Sequence, residues 1–266
     1  MGEVGPLEIL VLVKAYPNPS ESQGEACCVM GINRDLGFVR IYPIPFRNLE
    51  DDKQFGKYQR IRLGVQRPKN DSRPNTFRPQ LDTLELLDAP IPSGKDWYAR
   101  KQWVMPWVGQ SMCGIIREQA RSGLSMGMFK PAEVLDLTQE VDATGWAPKD
   151  LAKLGQRDLF LTKENKLLEK VPFKWRYKYR CSDPACPTHE QTIVDWELAA
   201  LYLNLKWKGG DDPKAIHDAV RKKFLGQMCD RSRDVYFFTG NMGAHPGSFL
   251  ILGVFWPPRD LQATLF

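Results

Sequence analysis

Two cysteines and a histidine lie close together in the second half of the chain. Cys181, Cys186 and His189 are spaced as C-x4-C-x2-H, in a turn that also contains two prolines. Thiolate and imidazole are ligands that zinc prefers, and a tight turn can bring them together without a large core. The spacing predicts a zinc knuckle. Two incidental thiols beside a histidine, or a reactive thiol pair, are the alternative interpretations.

A structural zinc site needs a fourth ligand. Cys229 is the expected one, because it precedes the strand-like run DVYFFTGN, which we expect to pair near FKWRYKYR; His217 is the alternative. The remaining cysteines are interpreted as small buried apolar residues in a reducing compartment. These are Cys27, Cys28 and Cys113.

Candidates for catalysis follow the knuckle. A carboxylate can act on metal-bound water as a general base when zinc keeps an open position. Asp195 and Glu197 are such carboxylates, and His245 lies in the glycine-rich loop after Asn241. EQTIVDWELAALYLNLKW is predicted to be a helix, which would place Glu197 about 12 Å along the axis from His189. That distance favours a structural role, and no catalytic residue is assigned.

The strand-like segment before the knuckle alternates strictly between aromatic and basic residues. The aromatic residues are Phe173, Trp175, Tyr177 and Tyr179, and the basic residues are Lys174, Arg176, Lys178 and Arg180. In a strand, period two places the two sets on opposite faces. The aromatic face is expected to be buried. The basic face is either a solvated edge or a surface that follows nucleic-acid phosphates.

The first ninety residues are predicted to form a small, strongly curved β-barrel. Strand-like runs cover residues 8–16, 26–34, 37–44 and 58–65, and QRPKNDSRPNTFRPQ follows as an exposed basic loop. Residues 40–80 carry ten Lys or Arg against four Asp or Glu. The arginines expected to contact nucleic acid are Arg40, Arg60, Arg62, Arg67, Arg73 and Arg78.

Composition excludes several classes of protein. The 266 residues are 42% hydrophobic with a formal net charge of +5, which is typical of an ordinary globular chain. No apolar run reaches the roughly 18 residues that span a bilayer, so we expect a cytoplasmic protein with no membrane contact. The sequence contains neither a phosphate-binding loop nor a dinucleotide-binding fingerprint.

Two stretches carry a resemblance to a known group of proteins. GEACCVMGINRDLGFVRIYPIPFRNL resembles the opening of bacterial proteins with a dual OB-like domain, and RYKYRC, CPTH, DWE and YFFTGN resemble their C-terminal cysteine-histidine knuckle. The resemblance implies small barrels and nucleic-acid contact in a genome-defence or mobile-element setting. It assigns no catalytic residue.

These observations predict an α+β chain with two domains. Residues 1–140 would form an OB-like β-barrel domain with a helical insertion, and residues 141–266 an α/β zinc-knuckle domain. The expected function is nucleic-acid binding, to DNA or RNA, with a structural zinc ion. A metal-dependent nuclease or related hydrolase, and a non-catalytic assembly component with a protein partner, are the alternatives.

Overall fold

The computed structural model describes residues 3–94, 97–109, 111–155, 166–209 and 212–259. The chain forms two units, unit 1 from Met1–Pro90 and Val141–Phe173, and unit 2 from Ile91–Glu140 and Lys174–Phe266. It therefore passes between the units three times. Residues 91–140, which were predicted to belong to a domain of residues 1–140, lie in unit 2.

The described residues form twelve strands and five α-helices. The strands are β1 (Glu3–Lys14), β2 (Asn18–Ser20), β3 (Gly24–Asn33), β4 (Gly37–Ile44), β5 (Arg60–Gln66), β6 (Thr76–Leu86), β7 (Met126–Phe129), β8 (Pro131–Val141), β9 (Phe173–Cys181), β10 (His189–Ile193), β11 (Tyr236–Asn241) and β12 (Phe249–Phe255). The helices are α1 (Tyr98–Val104), α2 (Met112–Ser122), α3 (Pro148–Gly155), α4 (Trp196–Trp207) and α5 (Pro213–Arg221).

Five strands of unit 1 close into the expected small barrel. They pair in the order β1-β5-β6-β4-β3, and β3 pairs back with β1. The β4–β6 pair is parallel and the others are antiparallel. This arrangement is consistent with an OB-like barrel. Alternate apolar residues of β5, such as Ile61 and Leu63, are buried, as period-two patterning requires.

The basic segment after β5 is only partly a loop. From Thr76 onward the chain is strand β6, which pairs in parallel with β4 and antiparallel with β5. Phe77 is buried, and its arginine neighbour Arg78 is exposed. The prediction of one long loop was wrong because burial of Phe77 and two strand partners outweigh the local excess of polar residues.

Unit 2 is built on a second six-stranded sheet, in the order β7-β11-β12-β10-β9-β8. The sheet is strongly curved. Two strands separate β11 from β9, yet the ring centroids of Phe237 on β11 and Tyr177 on β9 are only 4.7 Å apart. Phe129 on β7 similarly approaches Tyr179, at 5.4 Å. The aromatic face of β9 is therefore core, as its alternation predicts.

The segment after the knuckle was predicted to be one helix and is a strand followed by a helix. Residues 189–193 form β10, which pairs antiparallel with β9 and parallel with β12. Helix α4 begins only at Trp196, where Asp195 caps it. The mixed polar and apolar residues 189–193 suit a helix or a strand, and pairing with the neighbouring strands decides between them.

The segment from Met126 to Phe129 was expected to be loop and forms β7. All four of its residues are buried. A side chain at Gly127 would place its Cβ 2.9 Å from Cδ1 of Ile115 on α2, so glycine allows this helix to pack closely on the strand.

Among the helices that the structure describes, none combines the length and apolar character needed to cross a membrane.

Candidate metal centre

Four potential metal ligands converge in unit 2. They are the Sγ atoms of Cys113, Cys181 and Cys186 and a ring nitrogen of His189, all within 4.8 Å of one another. Cys113 is in the first turn of α2, Cys181 ends β9, Cys186 is in the following turn, and His189 begins β10. The cluster could bind a metal ion.

Three of the ligand separations are close to those expected around a tetrahedral zinc ion. The Cys113 and Cys181 sulfurs are 3.6 Å apart, and His189 Nε2 lies 3.3 Å and 3.6 Å from them, respectively. Typical zinc–sulfur and zinc–nitrogen bond lengths give tetrahedral ligand separations of about 3.6–3.8 Å. The sulfurs are too far apart for a disulfide, whose S–S bond is about 2.05 Å.

Local structure holds each ligand in place. Ser111 caps α2 by accepting a hydrogen bond from Gly114 N at 3.0 Å, which orients the turn that carries Cys113. Asp183 accepts from the Ala185 N–H at 3.0 Å and so shapes the turn before Cys186. Tyr179 stacks on the His189 ring with centroids 5.2 Å apart.

The electrostatic environment favours a thiolate at Cys181. Burial works against its ionisation, but the backbone N–H groups of Cys113 and Asp183 outweigh burial and lower the pKa of Cys181 to about 6. Burial, together with the Cys181 sulfur, raises the pKa of Cys113 to about 12. A divalent metal would displace the remaining thiol protons on binding.

An ion pair joins α2 to the turn between β9 and β10, next to the cluster. Arg117 on α2 lies 2.7 Å from the carboxylate of Asp183. The Arg117 guanidinium and the Ala185 N–H hold the pKa of Asp183 below its ordinary value. The contact joins the same two segments that the ligands join.

Cys229 and His217, the two residues considered for the fourth position, lie elsewhere. The Cys229 thiol donates to the Phe224 carbonyl oxygen at 3.3 Å, and burial raises its pKa to about 12. His217 is on α5, outside the cluster. The fourth cluster residue is Cys113, which was interpreted as an apolar residue. No local spacing identifies it, because it lies 68 residues before Cys181.

Asp195 is placed to cap a helix. Its side chain is 2% exposed and accepts from the Glu197 N–H at 2.9 Å. Neither residue belongs to the Cys/His cluster. With four protein ligands a zinc ion would keep no open position for a reactive water, so the arrangement does not favour hydrolysis.

We expect Asp195→Ala to destabilise the protein by about 1 kcal/mol, because it removes the oxygen that accepts from the first turn of α4. Asp195→Asn keeps that oxygen and should retain most of the stability. Urea denaturation measures both values. A hydrolytic activity lost in both variants would contradict the purely structural role.

Hydrogen bonds to its own carbonyl oxygens hold the glycine-rich loop between β11 and β12. Asn241 Nδ2 donates to Pro246 O at 2.9 Å, and the His245 N–H donates to Met242 O at 3.2 Å. Asn241 is buried, whereas His245 is exposed. His245 lies outside the Cys/His cluster.

The basic residues of β9, here called the β9 row, point away from the aromatic core. They are Lys174, Arg176, Lys178 and Arg180. Arg176 forms an ion pair of 2.5 Å with Glu140 on β8, while Lys174, Lys178 and Arg180 are exposed. Glu190 on β10 faces Lys178 in the strand register. The β9 row therefore presents three exposed cations on one strand.

The barrel arginines do not form one surface. Arg40 is 3% exposed and donates to Thr76 Oγ1 at 3.0 Å. Burial lowers its pKa. Arg73 pairs with Asp71 at 2.6 Å. Arg40 and Arg73 are thus placed as structural groups.

The other predicted barrel arginines lie nearer the solvent. Arg60 pairs with Glu8 at 3.0 Å and with Asp88 at 2.5 Å. Arg62 is 3.6 Å from both Glu8 and Glu85. Arg67 donates to the Pro74 carbonyl oxygen and covers the ring of Phe77 at 4.3 Å, while Arg78 is exposed.

Two parts of the chain match the models of protein families. Residues 108–266 match the model of a family described as "Domain of unknown function (DUF8757)", and residues 6–106 match "Domain of unknown function (DUF8758)". No curated protein matches. A solved structure described as "Structure of murine DNA binding protein bound with ds DNA" aligns over 97% of each chain, with 10% identity and a TM-score of 0.32. A similarity this low supports no argument about function.

Proposed function

The chain belongs to the DUF8757 family through residues 108–266, which include the whole Cys/His cluster, and we propose that it is a nucleic-acid-binding protein with a structural zinc ion. The bacterial genome-defence or mobile-element setting implied by the sequence resemblance, and a cytoplasmic location, belong to this proposal as its biological context.

The choice of zinc rests on the donor set. Three thiols and one imidazole form a Cys₃His set, which is typical of structural zinc sites. Cys113, Cys181, Cys186 and His189 would hold the ion. The ion would join α2 to the turn between β9 and β10, and so fix the end of β9.

The observation that carries the nucleic-acid proposal is the β9 row on this fixed strand. Residues i and i+2 of a strand are about 6.6 Å apart, so Lys178 and Arg180 form a regularly spaced pair of cations on one face of the sheet. Trp175 and Tyr177 hold the opposite face in the core. Cations on a rigid strand lose little entropy when they contact successive phosphates.

Contact with the phosphate backbone is favoured over stacking on bases. Base stacking needs exposed aromatic rings, and Trp175, Tyr177 and Tyr179 are buried. The resulting affinity would be largely electrostatic and independent of base sequence. This mode suits either DNA or RNA.

The barrel supports the same proposal by analogy. OB-fold barrels bind oligonucleotides on the face of their second and third strands, which correspond to β3 and β4 here. Tyr42 on β4 is 40% exposed and offers an aromatic ring on that strand. The analogy concerns the fold, whereas the β9 row is a property of this chain.

Neutralising part of the β9 row tests the proposal. We expect Lys178→Gln/Arg180→Gln to weaken binding of a labelled 30-nucleotide oligonucleotide about tenfold at moderate salt. The slope of log affinity against log salt should become shallower by about 1.4–1.8, because two phosphate contacts are lost. Fluorescence anisotropy across a salt series measures both quantities.

The matched control removes the same charge elsewhere. Lys149 and Lys208 are both exposed and lie outside the β9 row. The control variant Lys149→Gln/Lys208→Gln should bind nearly as well as wild type. Salt-independent affinity, or equal losses in the two variants, would contradict the proposal. Metal-dependent cleavage of the oligonucleotide would support the nuclease alternative, and a protein complex that persists in high salt would support the assembly alternative.

A further inference from the structure

A second cationic surface of unit 2 surrounds a tryptophan that follows β12. Two basic residues lie over the Trp256 ring and four more lie on neighbouring segments, and together the six are called the Trp256 patch. They are Arg100, Lys101, Lys130, Lys223, Arg233 and Arg259. None of them was singled out by the sequence motifs, because no two basic residues of the patch share a strand.

Indole rings hold three of these cations in place. Lys223 Nζ lies 4.8 Å from the Trp256 ring centroid, and the Arg233 guanidinium carbon lies 4.9 Å from it. Trp97 packs edge-on against Trp256 at 5.5 Å, and its own ring carries the Arg100 guanidinium at 4.8 Å. Cation–π contacts of this kind position a charge and leave it positive.

Backbone contacts fix the segments that carry the patch. Arg233 forms a β-bridge with Pro258, and the Arg259 N–H donates to Ser232 O at 2.8 Å. Lys101, on α1, donates from Nζ to Pro258 O at 3.4 Å. Arg233 and Arg259 therefore stand on a short extension of the β11–β12 pair, and Lys101 contacts this extension.

A π-helical turn places Lys223. The turn covers Lys222–Gln227, directly after α5, and π turns of this kind often occur at functional sites. The Phe224 carbonyl oxygen accepts from the Tyr177 hydroxyl at 2.7 Å and from the Cys229 thiol at 3.3 Å. These bonds tie the turn to the aromatic core, so Lys223 projects from a fixed backbone.

The charges of the patch are only partly balanced. Asp234 lies 2.6 Å from Lys130 and 3.7 Å from Arg259. Among the ion pairs of the described residues, none involves Lys223 or Arg233. Both are half-exposed: Lys223 Nζ donates to Gln227 Oε1 at 3.2 Å, and Arg233 acts electrostatically on Asp230 without forming an ion pair.

We propose that the Trp256 patch is a second phosphate-contact surface for nucleic acid, an inference that rests on the proposed function. Nucleic acid is favoured over an acidic protein because the patch offers positive charge held on a rigid frame. Protein interfaces depend on apolar and aromatic anchors at their centre. Here two cations already cover the Trp256 ring, so the ring positions these charges and is not available as an anchor for a protein partner.

The experiment compares two double variants and their combination. We expect Lys223→Gln/Arg233→Gln to weaken oligonucleotide binding about tenfold and to make the salt slope shallower by about 1.4–1.8. Combined with Lys178→Gln/Arg180→Gln, the loss should approach a hundredfold, because effects at independent sites multiply. Lys149→Gln/Lys208→Gln again serves as the control for charge. Zinc content and the thermal transition confirm that each variant is folded.

A further variant covers the case in which Lys223→Gln/Arg233→Gln disturbs the local structure around Trp256. Arg259→Gln removes one exposed cation of the patch without a contact to the indole. It should reduce the salt slope by about 0.7–0.9 on its own.

The outcomes are distinguishable. If wild type binds and both patch variants bind like the control, the Trp256 patch proposal is overturned while the proposed function stands. If wild type does not bind nucleic acid, both fail. If a poly-glutamate peptide of equal charge displaces the oligonucleotide at the same concentration as unlabelled oligonucleotide itself, the patch is a site for acidic protein segments and its assignment to nucleic acid is overturned.

Discussion

Serine in place of Cys113 is expected to leave the protein without zinc and to lower its melting temperature by about 10 °C. The Cys113 sulfur lies 3.6 Å from the Cys181 sulfur and 3.3 Å from His189 Nε2, so it would be one of four ligands of the proposed ion. A serine hydroxyl is a poor zinc ligand, and three remaining ligands hold the ion weakly.

The size of the effect follows from the role of the ion. Structural zinc contributes about 10 kcal/mol or more to the folding of small zinc domains. Unit 2 has its own aromatic core around Tyr177 and Phe237, so a smaller loss of about 4 kcal/mol is expected. At about 2–4 °C per kcal/mol, this corresponds to a shift of roughly 10 °C. Elemental analysis and thermal denaturation measure the two results.

The matched control is Cys229→Ser. Cys229 has the same side chain and lies in the same unit, but its thiol contacts Phe224 O and is outside the cluster. This variant should retain one zinc per chain and lose only about 1 kcal/mol of stability, since serine can keep the hydrogen bond. Zinc lost from Cys229→Ser and retained in Cys113→Ser would overturn the ligand assignment.

The second large effect is expected in the barrel, where Asp71→Asn should destabilise the protein by about 2–3 kcal/mol. Asp71 accepts from Arg73 Nε at 2.8 Å and lies 2.6 Å from a second nitrogen of the same guanidinium. It also offsets the charge of Arg40, which is 3% exposed. Removing the carboxylate takes a negative charge away from two neighbouring guanidinium groups.

Breaking a buried ion pair costs about 3–5 kcal/mol. A loss at or just below the lower end of this range is expected here because the Asp71 side chain remains 17% exposed to solvent. Urea denaturation of the Asp71→Asn variant checks the value. Asp35→Asn, a substitution at an exposed carboxylate in the β3–β4 turn, is the control and should change stability by less than about 0.5 kcal/mol.

The same ion pair predicts a dependence on pH. Burial alone would raise the pKa of Asp71, but hydrogen bonds from Arg73 outweigh it and hold the pKa below the ordinary value of 3.8. The contribution is therefore complete above pH 3.8 and is lost as the pH falls through the lower pKa of the folded state. If Asp71→Asn shows the same acid sensitivity as wild type between about pH 5 and about pH 2, Asp71 is not the group responsible.

Local patterning was enough to predict several elements of both units. Strict alternation identifies β9 and its buried aromatic face, because period two has one geometric consequence. Strand-like runs separated by turns identify most of the barrel. The same reasoning failed for residues 189–193, which are apolar and polar in a mixture that suits helix or strand. Pairing with β9 and β12 decided the outcome there.

Three ligands of the candidate metal centre were predictable from the sequence, and the fourth was not. Cys181, Cys186 and His189 are close in sequence, so their spacing alone predicts a site. Cys113 enters only because α2 packs near the end of β9, and a packing contact across 68 residues leaves no local signal.

The distribution of surface charge is the feature that the sequence predicted least well. Counting arginines predicts a basic barrel surface, but burial and carboxylate partners are properties of tertiary contacts. Arg40 is therefore structural, whereas Lys223 and Arg233, in no recognisable motif, stand together over Trp256. The residue types and local periods determine which chemistry is possible in this chain, and only the packing of distant segments decides where it is assembled, since side-chain neighbours in space are not encoded by short-range spacing.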